Sequence, residues 1–134
     1  MTAIPTFRVA RPTDRLAAVT VFYREALGFE RLASFADHDG FDGEVLGYPG
    51  APWHLEFVHE RSGPAAGEAP SEEHLLVLYF ATPAEYEAAI ARAGAAGANP
   101  VPAHNPYWDR IGRTYADPDG YRLALVNSPW PRRA

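Results

Sequence analysis

The feature that most constrains the fold of this chain is an internal repetition of its hydrophobic pattern. A short apolar strand, an amphipathic helix and three further strand-like pieces occur once before residue 61 and again after residue 73. The glycines that end the two helices, Gly28 and Gly97, are about 69 residues apart, and the later pieces keep nearly this offset. Each half therefore predicts a β-α-β-β-β module in which the helix covers one face of a sheet.

The pattern also places the modules along the chain. The first covers about residues 5–60 and the second about residues 74–127, within a single domain of 134 residues. Between them, residues 61–73 read RSGPAAGEAPSEE, a polar stretch rich in Gly, Pro, Ala and Glu that is typical of a linker. Two such sheets side by side would form a cup lined by the faces that the helices leave free.

Turn and capping residues predict where several elements begin. Thr13 and Asp14 supply N-cap chemistry for the first helix, and residues 82–85, TPAE, form a capping box with proline at the first helical position. Residues 37–43, DHDGFDG, favour a tight Asp-Gly turn over a calcium loop, because the calcium pattern would require glutamate at Tyr48. The DPDG turn at residues 117–120 precedes an alternating last strand.

Composition excludes several classes of function. A formal net charge of -5, with no basic stripe interleaved with aromatics, argues against a nucleic-acid partner. No apolar run approaches the ~20 residues that span a bilayer. The chain has no cysteine, which removes disulfides and thiolate chemistry. The first residues lack a signal-peptide pattern, so we expect a cytoplasmic location and no membrane partner.

Four stretches in this order and spacing resemble the vicinal oxygen chelate (VOC) superfamily, which has the glyoxalase, bleomycin-resistance and extradiol-dioxygenase fold. They are VFYREALGFE, HLEF, AAGANPV and DPDGYRLAL, and the resemblance covers about Thr6 to Asn127. It implies an α+β fold in which two βαβββ modules form a cup-shaped mixed sheet with helices on the outer face. It also implies a homodimer with a small-molecule ligand in the cup. Whether modules of one chain or of two chains complete each cup stays open.

In the metal-using branches of this superfamily, four strand positions hold a divalent ion. Carried over by resemblance, they fall on Arg8, Glu56, a fifth-strand position that is either His74 or Leu76, and Ala124. Arginine has no lone pair to offer and alanine has no donor atom. At most Glu56 and His74 remain as ligands, so we expect no metal and no other cofactor, with a divalent metal as the alternative.

Arg8 is the first candidate binding residue. Strand alternation predicts that Phe7 and Val9 pack under the helix while Arg8 and Ala10 face the cup. An arginine there can hold a carboxylate or phosphate with two hydrogen bonds. The alternative interpretation is an ion pair with Glu56 across the sheet.

Other polar and aromatic side chains complete the candidate site. His54 and Glu56 are two residues apart on one strand and point the same way, as an acid–base pair or as a hydrogen-bonded pair without turnover. His74 is a candidate substrate contact or simply the polar start of a buried strand. Tyr107 and Trp108 lie on a loop and either cover a ligand or pack on a partner subunit.

These observations predict metal-independent binding of a small, anionic organic molecule, either without turnover or with acid–base chemistry as in a lyase or isomerase. The alternative is a metal-dependent glyoxalase-like lyase or dioxygenase-like enzyme. Its ligands would come from a set of donors that is large enough for a metal site: His38, His54, Glu56, His74 and His104. Whether the chain is an enzyme stays open.

Overall fold

A computed structural model of the chain describes residues 3–132, which divide into two compact units. The first unit runs to Gly67 and the second begins at Glu68, with Glu25–Leu27 at the end of the first helix belonging to the second unit. Each unit contains a four-stranded mixed sheet and a long helix. The predicted α+β class and the two β-α-β-β-β modules are confirmed. None of the helices within residues 3–132 is long and apolar enough to cross a membrane.

The elements of the first unit follow the predicted order. They are strand β1 (Phe7–Pro12), helix α1 (Leu16–Leu27), and strands β2 (Glu30–His38), β3 (Phe41–Gly47) and β4 (Trp53–Glu60). The sheet order is β1-β4-β3-β2, with β1 parallel to β4 and the other neighbours antiparallel. The β2–β3 hairpin turns at Asp39 and Gly40, whose φ angles of 52° and 87° fit a two-residue primed turn.

Helix α1 covers one face of this sheet through aromatic packing. The ring of Tyr23, which is fully buried, lies 4.8 Å from the ring of Phe57 on β4. Gly28 ends the helix in the left-handed conformation, at φ 72°. Because Phe57 faces α1, its neighbour Glu56 points to the opposite, open face.

The predicted N-cap of α1 is wrong. The capping position is Arg15, and no side chain caps the helix there. Thr13 Oγ1 instead accepts a hydrogen bond from the backbone N–H of Arg15, at 3.0 Å. The Asp14 carboxylate accepts from the backbone N–H groups of Ala66 and Gly67, which lowers the pKa of Asp14 and holds the linker in place.

The prediction that Phe7 and Val9 pack under the helix is also wrong. Phe7 is 64% exposed and Val9 is 41% exposed. Both lie on β1, the edge strand of the sheet, whereas α1 packs over β4. The alternation is correct, but the helix does not extend far enough sideways to cover the edge strand.

The second unit repeats the arrangement with one addition. It contains β5 (Leu75–Tyr79), α2 (Pro83–Ala95), β6 (Asn99–Val101), a short helix α3 (Tyr107–Ile111), β7 (Gly112–Ala116) and β8 (Arg122–Val126), with sheet order β5-β8-β7-β6. The Thr82 side chain accepts a hydrogen bond from Glu85 N–H at 3.2 Å, as the capping box predicted. Tyr107 and Trp108 begin helix α3, not a loop.

The DPDG turn before β8 is held by its first aspartate. Asp117 Oδ1 accepts hydrogen bonds from the backbone N–H groups of Asp119, at 2.8 Å, and of Tyr121, at 3.0 Å. Gly120 takes a φ of 83°, a region that glycine adopts without a steric penalty. Both aspartates are buried, so the turn fixes where β8 starts and which face each of its side chains occupies.

Candidate functional site

The open face of the first sheet brings together three of the predicted site residues. Arg8 Nε donates to His54 Nε2 at 2.9 Å, and Arg8 Nη1 donates to Glu56 Oε2 at 3.3 Å. The cross-strand pair between Arg8 and Glu56, one of the two interpretations of the sequence, is therefore present.

Strand register explains why these three side chains meet. In the parallel pairing of β1 with β4, Arg8 lies beside His54 and Ala10 lies beside Glu56. Residues that are two apart on one strand share a face, so His54 and Glu56 both flank the arginine. The small side chain of Ala10 leaves room for the guanidinium to lean along the sheet toward Glu56.

Exposure and hydrogen bonding define the chemistry available at this cluster. The Arg8 side chain is 47% exposed, whereas the Glu56 side chain is only 16% exposed. Because His54 Nε2 accepts from Arg8, the tautomer that fits this hydrogen bond carries its proton on Nδ1. A guanidinium has five N–H donors, and two of them are used by His54 and Glu56. No partner within residues 3–132 engages the remaining donors, so they can meet a ligand from the exposed side.

The second sheet settles which fifth-strand residues share a face with Ala124. Val77 pairs directly with Ala124, and Leu75 pairs with Arg122, so Leu75 and Val77 lie on that face. Leu76 pairs with Leu123 and therefore lies on the opposite face from Ala124. The sequence pattern missed this because HLLVLYF is nearly continuous in apolar residues, so alternation gives no register.

His74 and Tyr107 have local partners in the second unit. His74 Nδ1 is 2.7 Å from Ser71 Oγ, and the imidazole stands edge-on to the Tyr121 ring. Arg132 stacks over the Tyr107 ring, 5.6 Å from its centroid, and donates to the Tyr107 hydroxyl at 3.2 Å. The roles predicted for His74 and Tyr107 in substrate binding stay predictions.

Trp108 lines a cavity of about 340 Å³ within the second unit. The cavity has an apolar part and a polar rim, and its lining residues are Glu72, Glu73, Leu75, Val77, Ala103, His104, Asn105, Trp108 and Thr114. Sequence reasoning missed Glu72, Glu73 and Thr114, since it assigned the two glutamates to the linker. Two features of the sequence could have pointed to the two glutamates. They directly precede a strand, and the same module contains a loop histidine, His104.

The residues at the inherited ligand positions do not fit a divalent metal. On the first sheet, Glu56 is the one anionic donor at these positions, and Arg8 already binds it. On the second sheet, Ala124 and its neighbour Val77 have no donor atoms. Across residues 3–132, no group of three or more His, Cys, Asp or Glu side chains is arranged to hold a metal ion.

Comparison with known proteins identifies the family. The YycE-like N-terminal domain matches residues 7–58, and the YycE-like C-terminal domain matches residues 73–127. The chain belongs to the YycE-like family. It is 39% identical to the uncharacterized protein YycE of Bacillus subtilis over 121 residues, which cover 90% of this chain and 86% of that protein. The crystal structure of a Bacillus subtilis YycE protein of unknown function superposes with a TM-score of 0.84, at 37% identity, over 94% of this chain and 91% of that one.

More distant solved structures have the same fold, which confirms the glyoxalase/bleomycin-resistance fold that the sequence predicts. The glyoxalase I of Leishmania major has a TM-score of 0.69 at 16% identity, with 93% of this chain and 87% of that chain covered. The fosfomycin resistance protein FosX of Listeria monocytogenes, in complex with Mn(II) and a dihydroxypropylphosphonic acid, has a TM-score of 0.66 at 14% identity, with 98% and 97% covered. At these identities the likeness shows the fold alone.

Proposed function

We propose that this YycE-like chain binds a small organic anion at Arg8, on the open face of its first sheet, without a metal ion. The observation that carries the proposal is a half-exposed guanidinium held in a defined orientation by His54 and Glu56. A carboxylate, phosphate or phosphonate fits the remaining donors because its oxygens match the fork geometry of arginine.

The two flanking groups orient the arginine without blocking it. His54 holds Nε and Glu56 holds one terminal nitrogen, so the guanidinium plane stays fixed beside the sheet. Pre-organisation of this kind reduces the side-chain entropy that ligand binding must overcome. The phosphonic acid bound by the distant relative FosX belongs to the same chemical class, although that protein binds it together with Mn(II).

A titration with simple anions tests the proposal. Acetate, malonate, phosphonoacetate and methylphosphonate are added to the wild-type protein and to the Arg8→Lys and Arg8→Gln variants, and binding is followed by calorimetry. Arg8→Lys keeps the charge but loses the fork, so we expect affinity to fall about tenfold, and Arg8→Gln should abolish binding. Arg24→Gln, on helix α1, is the control and should bind like the wild type. Equal affinity in Arg8→Gln would refute the anion site.

Acid–base turnover of the bound molecule is the second candidate function. It is favoured by the position of Glu56, a largely buried carboxylate that shares the Arg8 guanidinium with His54 and would lie beside the proposed anion. The Glu56→Gln variant separates the two candidates. For simple binding, affinity for the anion holds or rises, because a negative charge beside Arg8 is removed. For turnover, the same variant retains binding but loses the product-forming step.

Independence from metal is a separate part of the proposal. Zinc, nickel, manganese and ferrous iron are titrated into metal-stripped protein, with oxygen excluded for iron. We expect no binding near one ion per chain. Stoichiometric binding would instead support the glyoxalase-like or dioxygenase-like alternative, with ligands drawn from other histidines of the chain.

We also propose that the chain forms a homodimer, as the VOC resemblance implies. Support comes from β1, an edge strand whose Phe7 and Val9 side chains are unusually exposed for apolar residues. A second copy that covers this strand would remove both side chains from water.

A further inference from the structure

The chain contains three Asp-Gly pairs, at residues 39–40, 42–43 and 119–120. In each pair, the side-chain carboxyl of the aspartate stands next to a backbone amide that no Cβ shields. When the glycine nitrogen attacks the aspartate Cγ, a succinimide ring closes and one water leaves. All three pairs have the groups for this reaction, so their surroundings in the fold decide which of them reacts.

At the β2–β3 turn, both reacting groups are accessible. The Asp39 side chain is 91% exposed, and its ionic neighbour within residues 3–132 is His38 Nε2, at 4.0 Å. The Gly40 carbonyl accepts from Arg61 N–H at 2.9 Å, but no acceptor within residues 3–132 takes the Gly40 N–H. A two-residue turn leaves this N–H unused, because the hydrogen bond that closes the turn comes from the residue after it.

The backbone of this turn also has room to rotate. Nothing lies within 4 Å of the place where a Cβ of Gly40 would be, and glycine adopts a wide range of backbone angles. Asp39 itself has a φ of 52°, a left-handed conformation that is unfavourable for residues with a side chain. Rotation that brings the Gly40 nitrogen to the Asp39 Cγ therefore meets no side chain and gives up no favourable local conformation.

The other two pairs are held by their neighbours. The Asp42 carboxylate accepts from Arg61 Nη2 at 2.9 Å, which lowers the pKa of Asp42 and favours the ionised form, the poorer electrophile. Asp119 is 2% exposed, and the N–H of Gly120 donates to the Asp117 carbonyl at 3.0 Å. Each of these pairs must break a hydrogen bond before its ring can close.

We infer that Asp39 is a site of spontaneous isoaspartate formation in the folded protein. The Gly40 nitrogen bonds to the Asp39 Cγ, and its proton leaves with the hydroxyl of the protonated carboxyl as water. Water then adds to the former backbone carbonyl of the ring and opens it, so that the chain runs through the Asp39 Cβ. The water taken up balances the water lost, and nothing is oxidised or reduced.

The product changes the turn in two ways. It lengthens by one carbon a two-residue turn that sets the pairing of His38 with Phe41, so this end of the hairpin should loosen. It also carries a free α-carboxylate, the group that isoaspartyl methyltransferases esterify with S-adenosylmethionine. The modification involves none of the residues of the anion site proposed at Arg8.

Ageing of the full chain tests the inference. The folded protein is incubated near neutral pH at physiological temperature for several weeks and then digested, and electron-transfer fragmentation distinguishes isoaspartate from aspartate at each pair. We expect about tenfold more isoaspartate at Asp39 than at Asp42 or Asp119, because those two react only after a local opening. In denaturant, where these hydrogen bonds are absent, the three positions should convert at comparable rates.

Two variants at the same position provide matched controls. Asp39→Glu keeps the carboxylate but can close only a larger, less favourable imide ring, so labelled methyl groups transferred by an isoaspartyl methyltransferase should be lost from the aged protein. Asp39→Asn reaches the same succinimide by loss of ammonia and should be methylated sooner than the wild type. Absence of isoaspartate at Asp39 in the folded wild type, equal conversion at Asp42 or Asp119, or methylation that persists in Asp39→Glu would each overturn the inference.

Discussion

At the scale of single residues, the hydrogen bond from Arg8 to His54 determines what the imidazole can do. While His54 Nε2 accepts from Arg8, it cannot take a proton from a substrate. A ligand that draws the guanidinium toward itself would release this nitrogen. In the proposed site, anion binding would thus be linked to the availability of a base through one shared donor.

This arrangement predicts the tautomer of His54. Nitrogen-15 spectra of the imidazole in the free protein should show Nδ1 protonated and Nε2 unprotonated, because Arg8 donates to Nε2. In Arg8→Gln the fixed donor is gone, so the two tautomers should interchange. His38, whose side chain is 80% exposed and whose Nε2 lies 4.0 Å from Asp39 Oδ2, provides an internal reference for a solvent-exposed imidazole. An identical His54 signal in both proteins would contradict the geometry.

Thr114 gives a prediction about stability. Thr114→Val replaces the unpartnered hydroxyl with a methyl group of similar shape, and the free energy of unfolding should rise by about 1 kcal/mol. Chemical denaturation measures the change. Thr13→Val is the matched control, because that buried hydroxyl accepts from Arg15 N–H, and its loss should lower stability by about 1 kcal/mol. Destabilisation by Thr114→Val would mean that the hydroxyl has a partner after all.

At the scale of elements, the junction of α3 with β7 depends on a close approach of two backbones. A side chain at Gly112 would collide with the carbonyl oxygen of Leu125 on β8. We expect Gly112→Ala to lower the free energy of unfolding by about 1–3 kcal/mol, as overpacking does. Gly94, on helix α2, has open space around it, so Gly94→Ala should stabilise by about 0.5–1 kcal/mol. Thermal unfolding of both variants measures the two opposite changes in stability. A Gly112→Ala variant as stable as the wild type would argue against the close packing of Gly112 on Leu125.

The carboxylate of Asp14, a group that titrates, holds the linker by hydrogen bonds. Hydrogen bonds from Ala66 and Gly67 lower the pKa of Asp14 below its ordinary value of 3.8. The carboxylate form is thus favoured in the folded state, so this stabilisation is complete above that value and is lost as pH falls through the lowered pKa. The protection factors of the Ala66 and Gly67 amides, which correct for the intrinsic pH dependence of exchange, should fall as the pH is lowered through this pKa. In Asp14→Asn, the amides of Ala66 and Gly67 should be less protected from exchange at neutral pH. Unchanged protection there would refute the role of these hydrogen bonds in holding the linker.

The elements themselves were largely predictable from the sequence. The repeat, the Thr82 cap and the Asp-Gly turns follow from local chemistry, which acts within a few residues. Errors arose where tertiary packing decides. The reach of α1 over the sheet left Phe7 exposed, and α3 formed in a stretch that carries Pro106 and no helical apolar pattern.

At the scale of the whole molecule, the proposed homodimer can be tested through its edge strand. Sedimentation velocity on the wild type should show a dimer, and the Phe7→Gln, Val9→Thr double variant should shift the population toward monomer, because two exposed apolar side chains are replaced. Val21→Thr, at a position 52% exposed on α1, serves as the control and should leave the population unchanged. A wild-type monomer, or equal effects of both changes, would exclude an interface on β1.

The candidate site was predicted only in part, because local sequence patterns fix some of its residues and tertiary packing fixes the others. The spacing of His54 and Glu56 and the alternation of Arg8 placed three side chains correctly on one open sheet face. The cavity of the second unit could not be found this way. It joins a linker segment, a loop, a short helix and two strands, and no local pattern encodes their convergence.

The shared sheet order of the two units has an evolutionary consequence. Between the first and last strand of each unit, the register pairs Arg8 with His54, two residues before Glu56, in the first sheet, and Leu75 with Arg122, two residues before Ala124, in the second. One backbone frame thus carries a charged cluster in one copy and a mostly apolar surface in the other. A duplicated frame lets one copy change its chemistry while the other keeps its own, so such a chain can acquire a new specificity before it gives up an old one.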